Sequence, residues 1–118
     1  MNNTKDFKCK RSYRIWMYTS SHCTLIIRSE KQYFDVEYND KYDEPNTTID
    51  VILNGVDFIS IPNSFSGIHI KKDNEKFIFN NNENWYVNAS NCWIGKYEGE
   101  DEDQVWQRDL NYDEIIRL

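Results

Sequence analysis

The chain has 118 residues, a net charge of −6, 15% aromatic residues, and only four glycines and two prolines. That length allows one domain with one core, and the acidic balance argues against general affinity for nucleic acid or an anionic membrane, which needs clustered Lys and Arg. Three widely spaced cysteines, Cys9, Cys23 and Cys92, argue against a disulfide framework by their odd number; with no apolar h-region and no run of membrane-spanning length, they predict a cytoplasmic protein.

Residues 1–6 are polar and read as a flexible tail. Basic residues gather near the start, at Lys5, Lys8, Lys10, Arg11 and Arg14, in the pattern of a solvated edge strand. Ser12–Ser29 reads as two strands joined by a polar turn through Thr19–Ser21. Tyr13, Ile15, Met17 and then Cys23, Leu25, Ile27 are expected on one face; Arg14, Trp16, Tyr18 and then Thr24, Ile26, Arg28 on the other. Neither arm has a wholly polar face, so both are expected to be central and covered on both sides. Gln32–Tyr38 alternates cleanly, Phe34, Val36 and Tyr38 against Tyr33, Asp35 and Glu37, and is predicted as a half-exposed strand with an acidic outer face. Asn39–Thr47 is a loop.

Thr48–Leu53 is the next strand, and Asn54-Gly55 after it is the strongest hairpin signal in the chain, returning through Val56–Ile61. Ile68–Lys71 and Lys76–Asn80 follow, then an Asn-rich turn, then Trp85–Ala89 and Cys92–Tyr97. Glu98–Asp103 is an acidic run. Trp106 and Leu110, four apart, and the Asn111-x-x-Glu114 capping pattern predict short helical turns at the C-terminus. Some eight short strands without a strand–helix–strand crossover predict a mainly β fold. The expected architecture is one domain over residues 1–118, an antiparallel β-sandwich or partly open barrel.

The chemistry-bearing residues are sparse. A His-dependent phosphodiesterase using His22, with Arg28 or Lys71 to hold a phosphate, is the least favoured alternative: no spacing brings His22 and His69 to one phosphate, so no catalytic set is assigned. Cys9, Cys23 and Cys92 lack zinc-ligand spacing, and Glu98–Asp103 lacks the calcium-loop pattern, so neither metal nor cofactor is expected. Phosphate-cradling glycine motifs are missing. Two binding readings remain. In the first, Asp35, Glu37, Glu98, Glu100, Asp101, Glu102 and Asp103 form a surface for a basic protein partner, with Trp106 as its aromatic anchor. In the second, Trp16, Tyr18, His22 and Arg28 line a small-ligand pocket.

The pattern Tyr13-Arg14-Ile15-Trp16-x-Tyr18-x-x-Ser21-His22-x-x-Leu25-x-Ile27-Arg28-Ser29, followed by Asn54-Gly55-Val56-x-Phe58-x-x-Ile61-Pro62, resembles small uncharacterised bacterial β-rich proteins. Some of these are regarded as immunity partners of secreted toxins. The resemblance covers the first half of the chain and transfers no catalytic residue. It implies a cytosolic protein that neutralises a partner.

Overall fold

The computed structural model describes residues 6–98 and 112–118. They form nine strands: β1 Asp6–Thr19, β2 Thr24–Ser29, β3 Thr48–Asn54, β4 Phe58–Ser60, β5 Ser64–Asp73, β6 Lys76–Phe79, β7 Tyr86–Asn88, β8 Asn91–Tyr97 and β9 Glu114–Arg117. All pair antiparallel in one sheet, in the order β4-β7-β6-β5-β1-β2-β3-β8-β9. The sheet is not closed, and the mainly β expectation holds.

β1 divides the sheet. Asp6–Arg14 pairs with β5 and Arg14–Thr19 with β2, so Arg14 touches both halves of the sheet. Two register shifts fall in this one strand. One extra residue enters between Cys9 and Ser12 against β5, and Trp16 is the extra residue between Ile15 and Met17 against β2. Bulges bend a strand and increase its twist, so the sheet curls about β1 and its halves share one core. Leu25, Ile27, Val51, Leu53, Cys92 and Ile94 from the β2–β8 half join Ile70, Phe77, Phe79 and Val87 from the other. Burial pushes the Cys92 thiol above its ordinary range.

The expected hairpin is central, with a turn at residues 20–23 where Cys23 takes a positive φ of 51°. β2 and β3 are buried along nearly their whole length on both faces. The bulge at Trp16 changes the faces beyond it. Met17 comes opposite Ile26 and Tyr18 opposite Leu25, the reverse of the simple alternation expected from Tyr13 onward.

Three further expectations are corrected. Gln32–Tyr38 is not a strand. Both edges of β2 are already taken, by β1 and β3, and the Gln32 side chain closes a loop instead: its Nε2 donates to the Asp40 carbonyl at 2.7 Å and its Oε1 accepts from the Tyr42 amide at 3.0 Å. Asn54-Gly55 makes a turn but not a hairpin. β8 occupies the outer edge of β3, and the chain crosses to β4, which pairs with β7. Gly55 has φ +65°, and a Cβ there would collide with the Ser90 hydroxyl. Finally, Glu114–Arg117 is a strand rather than a helical turn, since Ile115 and Ile116 supply β-favouring side chains to the open edge of β8. The Trp106–Leu110 part of that expectation lies outside the described residues.

Candidate functional site

On the face of the sheet away from the core, cross-strand register lines up Arg14, Arg28, Asp50, Gly95 and Ile115 across β1, β2, β3, β8 and β9. Residues directly opposite on antiparallel strands have neighbouring side chains. Arg28 and Asp50 therefore meet: Nε donates to Oδ1 at 2.7 Å and Nη2 to Oδ2 at 2.9 Å, with both side chains 1% exposed. Gly95 leaves room beside Asp50 for a ring from another segment. Tyr112 fills it, so closely that a Cβ on Gly95 would lie 2.5 Å from Tyr112 Cδ1. The Tyr112 hydroxyl donates to Asp50 Oδ2 at 2.7 Å. Burial, then the Asp50 charge and hydrogen bond, hold that phenol well above its ordinary range against the opposing pull of Arg28. Trp16 completes the cluster, its ring 4.6 Å from the Arg28 guanidinium and 5.0 Å from that of Arg14. This cluster fixes three strands and the C-terminal segment to one another. Both charges are enclosed, so its role is structural.

Arg11 does similar work at the end of β2. Placed by the first bulge of β1 and almost fully buried, its Nη2 donates to the carbonyls of Thr47 at 2.7 Å, Glu30 at 3.0 Å and Ser29 at 3.4 Å. Its guanidinium also lies 4.2 Å from the centre of the Tyr42 ring. One cation thus holds both ends of the 30–47 segment. The Gln32 amide donates to the Pro45 carbonyl at 2.6 Å and closes the same neck. Loops of this length with paired ends are compact surface features, and many carry function.

This loop presents apolar surface. Phe34 is fully exposed at 104%, Val36 is 49% exposed, and Tyr33 and Tyr38 are exposed to a similar degree. Asp35 and Glu37 alternate with them, and neither has an ion-pair partner among the described residues. Across residues 30–47 there are six carboxylates and two lysines. Thr48 pairs with Tyr97, so the end of the loop at Thr47 and Glu98 lie side by side where β3 begins and β8 ends. Lys96 Nζ reaches Glu44 Oε1 at 3.2 Å and joins the two. Of the acidic set expected from sequence, Asp35, Glu37 and Glu98 are exposed at this end. Glu100, Asp101, Glu102, Asp103 and Trp106 lie outside the described residues.

The second expected set is divided. Arg28 and Trp16 meet, but in the enclosed cluster. His22 sits in the exposed turn at residues 20–23, and Tyr18 is exposed on the strand leading to it. His69 Nε2 instead lies 3.0 Å from Asp6 Oδ2 across β1 and β5. No group of three or more His, Cys, Asp or Glu side chains able to hold a metal occurs among the described residues. The three cysteines are free, and no helix among the described residues is long and apolar enough to cross a membrane. The sequence shows Phe34 only as an inward strand residue, and Asp50 only as the end of an acidic stretch from Asp35, whereas the structure buries it against Arg28. No protein-family model, curated protein or solved structure matches the chain.

Proposed function

We propose that this protein is a non-enzymatic protein-binding domain for a basic partner, acting in the cytoplasm in the manner of an immunity protein that neutralises a toxin. One observation carries the reading: a fully exposed Phe34, near the carboxylates of Asp35 and Glu37 that have no ion-pair partner among the described residues, on a loop held at both ends by Arg11 and Gln32. A soluble domain gains nothing in folding from an exposed phenylalanine, whereas an aromatic anchor ringed by charge is what a protein interface uses. The acids at Asp35, Glu37, Glu98 and the run after it would attract a basic partner at long range, and Phe34 with Val36 would supply the desolvated contact. The pinned neck lowers the ordering cost of that contact.

The test is parallel capture from source cells with the wild-type chain and a Phe34→Ser/Val36→Ser variant of unchanged melting temperature. A basic chain retained by wild type, released by added salt and absent from the variant supports the reading. Identical captured sets from both proteins would refute it. For the immunity role, growth arrest by the captured partner should be relieved on co-expression with wild type and not with the variant.

A further inference from the structure

A cleft of about 520 Å³ lies behind the 30–47 loop, between it and the β1–β5 ladder. Its sheet side is set by register. Ser12 is opposite Ser66, and Arg14 is opposite Ser64, so three hydroxyls and a guanidinium fall together on one patch of two strands. Its loop side brings Lys31 and the rings of Tyr33, Tyr38 and Tyr42. Tyr42 is fixed there by Arg11, by the Gln32 bracket and by accepting from the Ser12 amide at 3.4 Å; the Tyr38 hydroxyl accepts from the Tyr33 amide at 3.1 Å. Phe34 and Val36 are not in its wall, so the cleft is separate from the outward surface assigned to a protein partner.

The two sides suit the two parts of one ligand. Arg14 has a side chain 57% exposed and, among the described residues, a single ion-pair contact, to Glu30 at 2.6 Å. A guanidinium carries five donors in a fork that fits a phosphate, and an exposed ion pair is weak enough to be shared with an incoming anion. Ser64 and Ser66 add hydroxyl donors from the neighbouring strand. Opposite them, tyrosine rings offer faces on which a planar base can stack. The volume lies within the range of small-ligand sites. We propose that the cleft binds a ribonucleoside monophosphate, its phosphate on Arg14 and the serine hydroxyls and its base against the loop tyrosines. This does not rest on the protein-binding proposal, and the residues tested differ.

Calorimetric titration of the full chain with AMP, ribose 5-phosphate, inorganic phosphate and adenosine separates the parts. AMP is expected to bind saturably and at least about tenfold more tightly than phosphate or adenosine alone, since each lacks one set of contacts. Arg14→Gln should weaken AMP and ribose 5-phosphate by at least about tenfold and leave adenosine unchanged. Tyr33→Ala should weaken AMP and adenosine but not phosphate. Both side chains are exposed, so both variants should keep the wild-type melting temperature. Absence of saturable AMP binding, or AMP affinity unchanged in Arg14→Gln, would overturn the assignment. Phosphate binding as tightly as AMP would overturn its nucleoside part.

Discussion

Replacing Asp50 by Ala gives the sharpest test of how this sheet is held. The change removes two charge-assisted hydrogen bonds from Arg28 and the acceptor of the Tyr112 hydroxyl. It takes the Asp50 carboxylate away from a guanidinium that is 1% exposed. Removing one partner of a buried ion pair costs about 3–5 kcal/mol, because the survivor stays desolvated. Trp16 still covers the cation, but a cation–π contact contributes only about 0.5–2 kcal/mol and is present before and after the change. The expected loss is therefore about 3–5 kcal/mol, a large share of the roughly 5–15 kcal/mol that holds a domain of this kind folded. Urea denaturation followed by tryptophan fluorescence reads it as a lower midpoint at constant slope. The double variant Arg28→Met/Asp50→Leu provides the control. It removes both charges and should recover most of the loss, since apolar groups of similar volume often replace a buried pair at little cost. A cost below about 1 kcal/mol for Asp50→Ala, or a double variant less stable than the single, would refute the argument.

Three other outcomes follow from named contacts. Gly95→Ala drives a methyl into the Tyr112 ring and should cost about 1–3 kcal/mol, with faster amide exchange in β9 as the ring is displaced. Arg11→Met keeps the stem but strips the donor from the Ser29, Glu30 and Thr47 carbonyls; a loss of about 1–3 kcal/mol is expected, with hydrogen exchange rising over residues 31–47 more than in β2. The phenols of Tyr13 and Tyr112 are raised, chiefly by burial, with the neighbouring Cys9 adding for Tyr13 and Asp50 for Tyr112. A raised acid favours the neutral form in the folded state, so their stabilisation is complete below the unfolded phenol value of about 10 and declines as pH rises above it. Tyrosinate absorbance should show the Tyr13 and Tyr112 phenols titrating only as the chain unfolds, and Tyr112→Phe should remove one of these two contributions.

Local pattern was enough to place most strands and to identify β2 as central, because Leu25-Ile26-Ile27 carries apolar side chains on both faces and only a strand covered on both sides tolerates that. Pairing was a different matter. Asn54-Gly55 has the residues of a hairpin turn, and the chain does turn there, but which strand lies beside β3 depends on whether β8 or the returning chain takes that edge. Turn chemistry does not contain that information. Gln32–Tyr38 failed for the same reason: its alternation fits a half-buried strand, yet no edge next to β2 was open to receive it. Arg28 and Trp16 share a face in the sequence pattern, and they do meet. The bond of Arg28 to Asp50 could not be read there, because it requires knowing that β2 and β3 are neighbours in a register placing residue 28 opposite 50.

The misread segment is also the one with functional promise, and the two facts share a cause. An apolar side chain in an alternating run is assumed to face the core because folding usually gives it no other place. Where the chain leaves the sheet, that assumption lapses. Tyr42 is then used to bind Arg11, and the Tyr38 hydroxyl accepts from the Tyr33 amide, so these rings serve the loop itself. Phe34 is left fully exposed. Its replacement by Ser should change stability by no more than about 0.5 kcal/mol, as for other exposed positions. If partner capture fails in the same variant, the residue serves binding rather than folding. A loss of stability well beyond that range would instead mean that Phe34 is covered in the folded chain, and the interaction surface would have to be sought elsewhere.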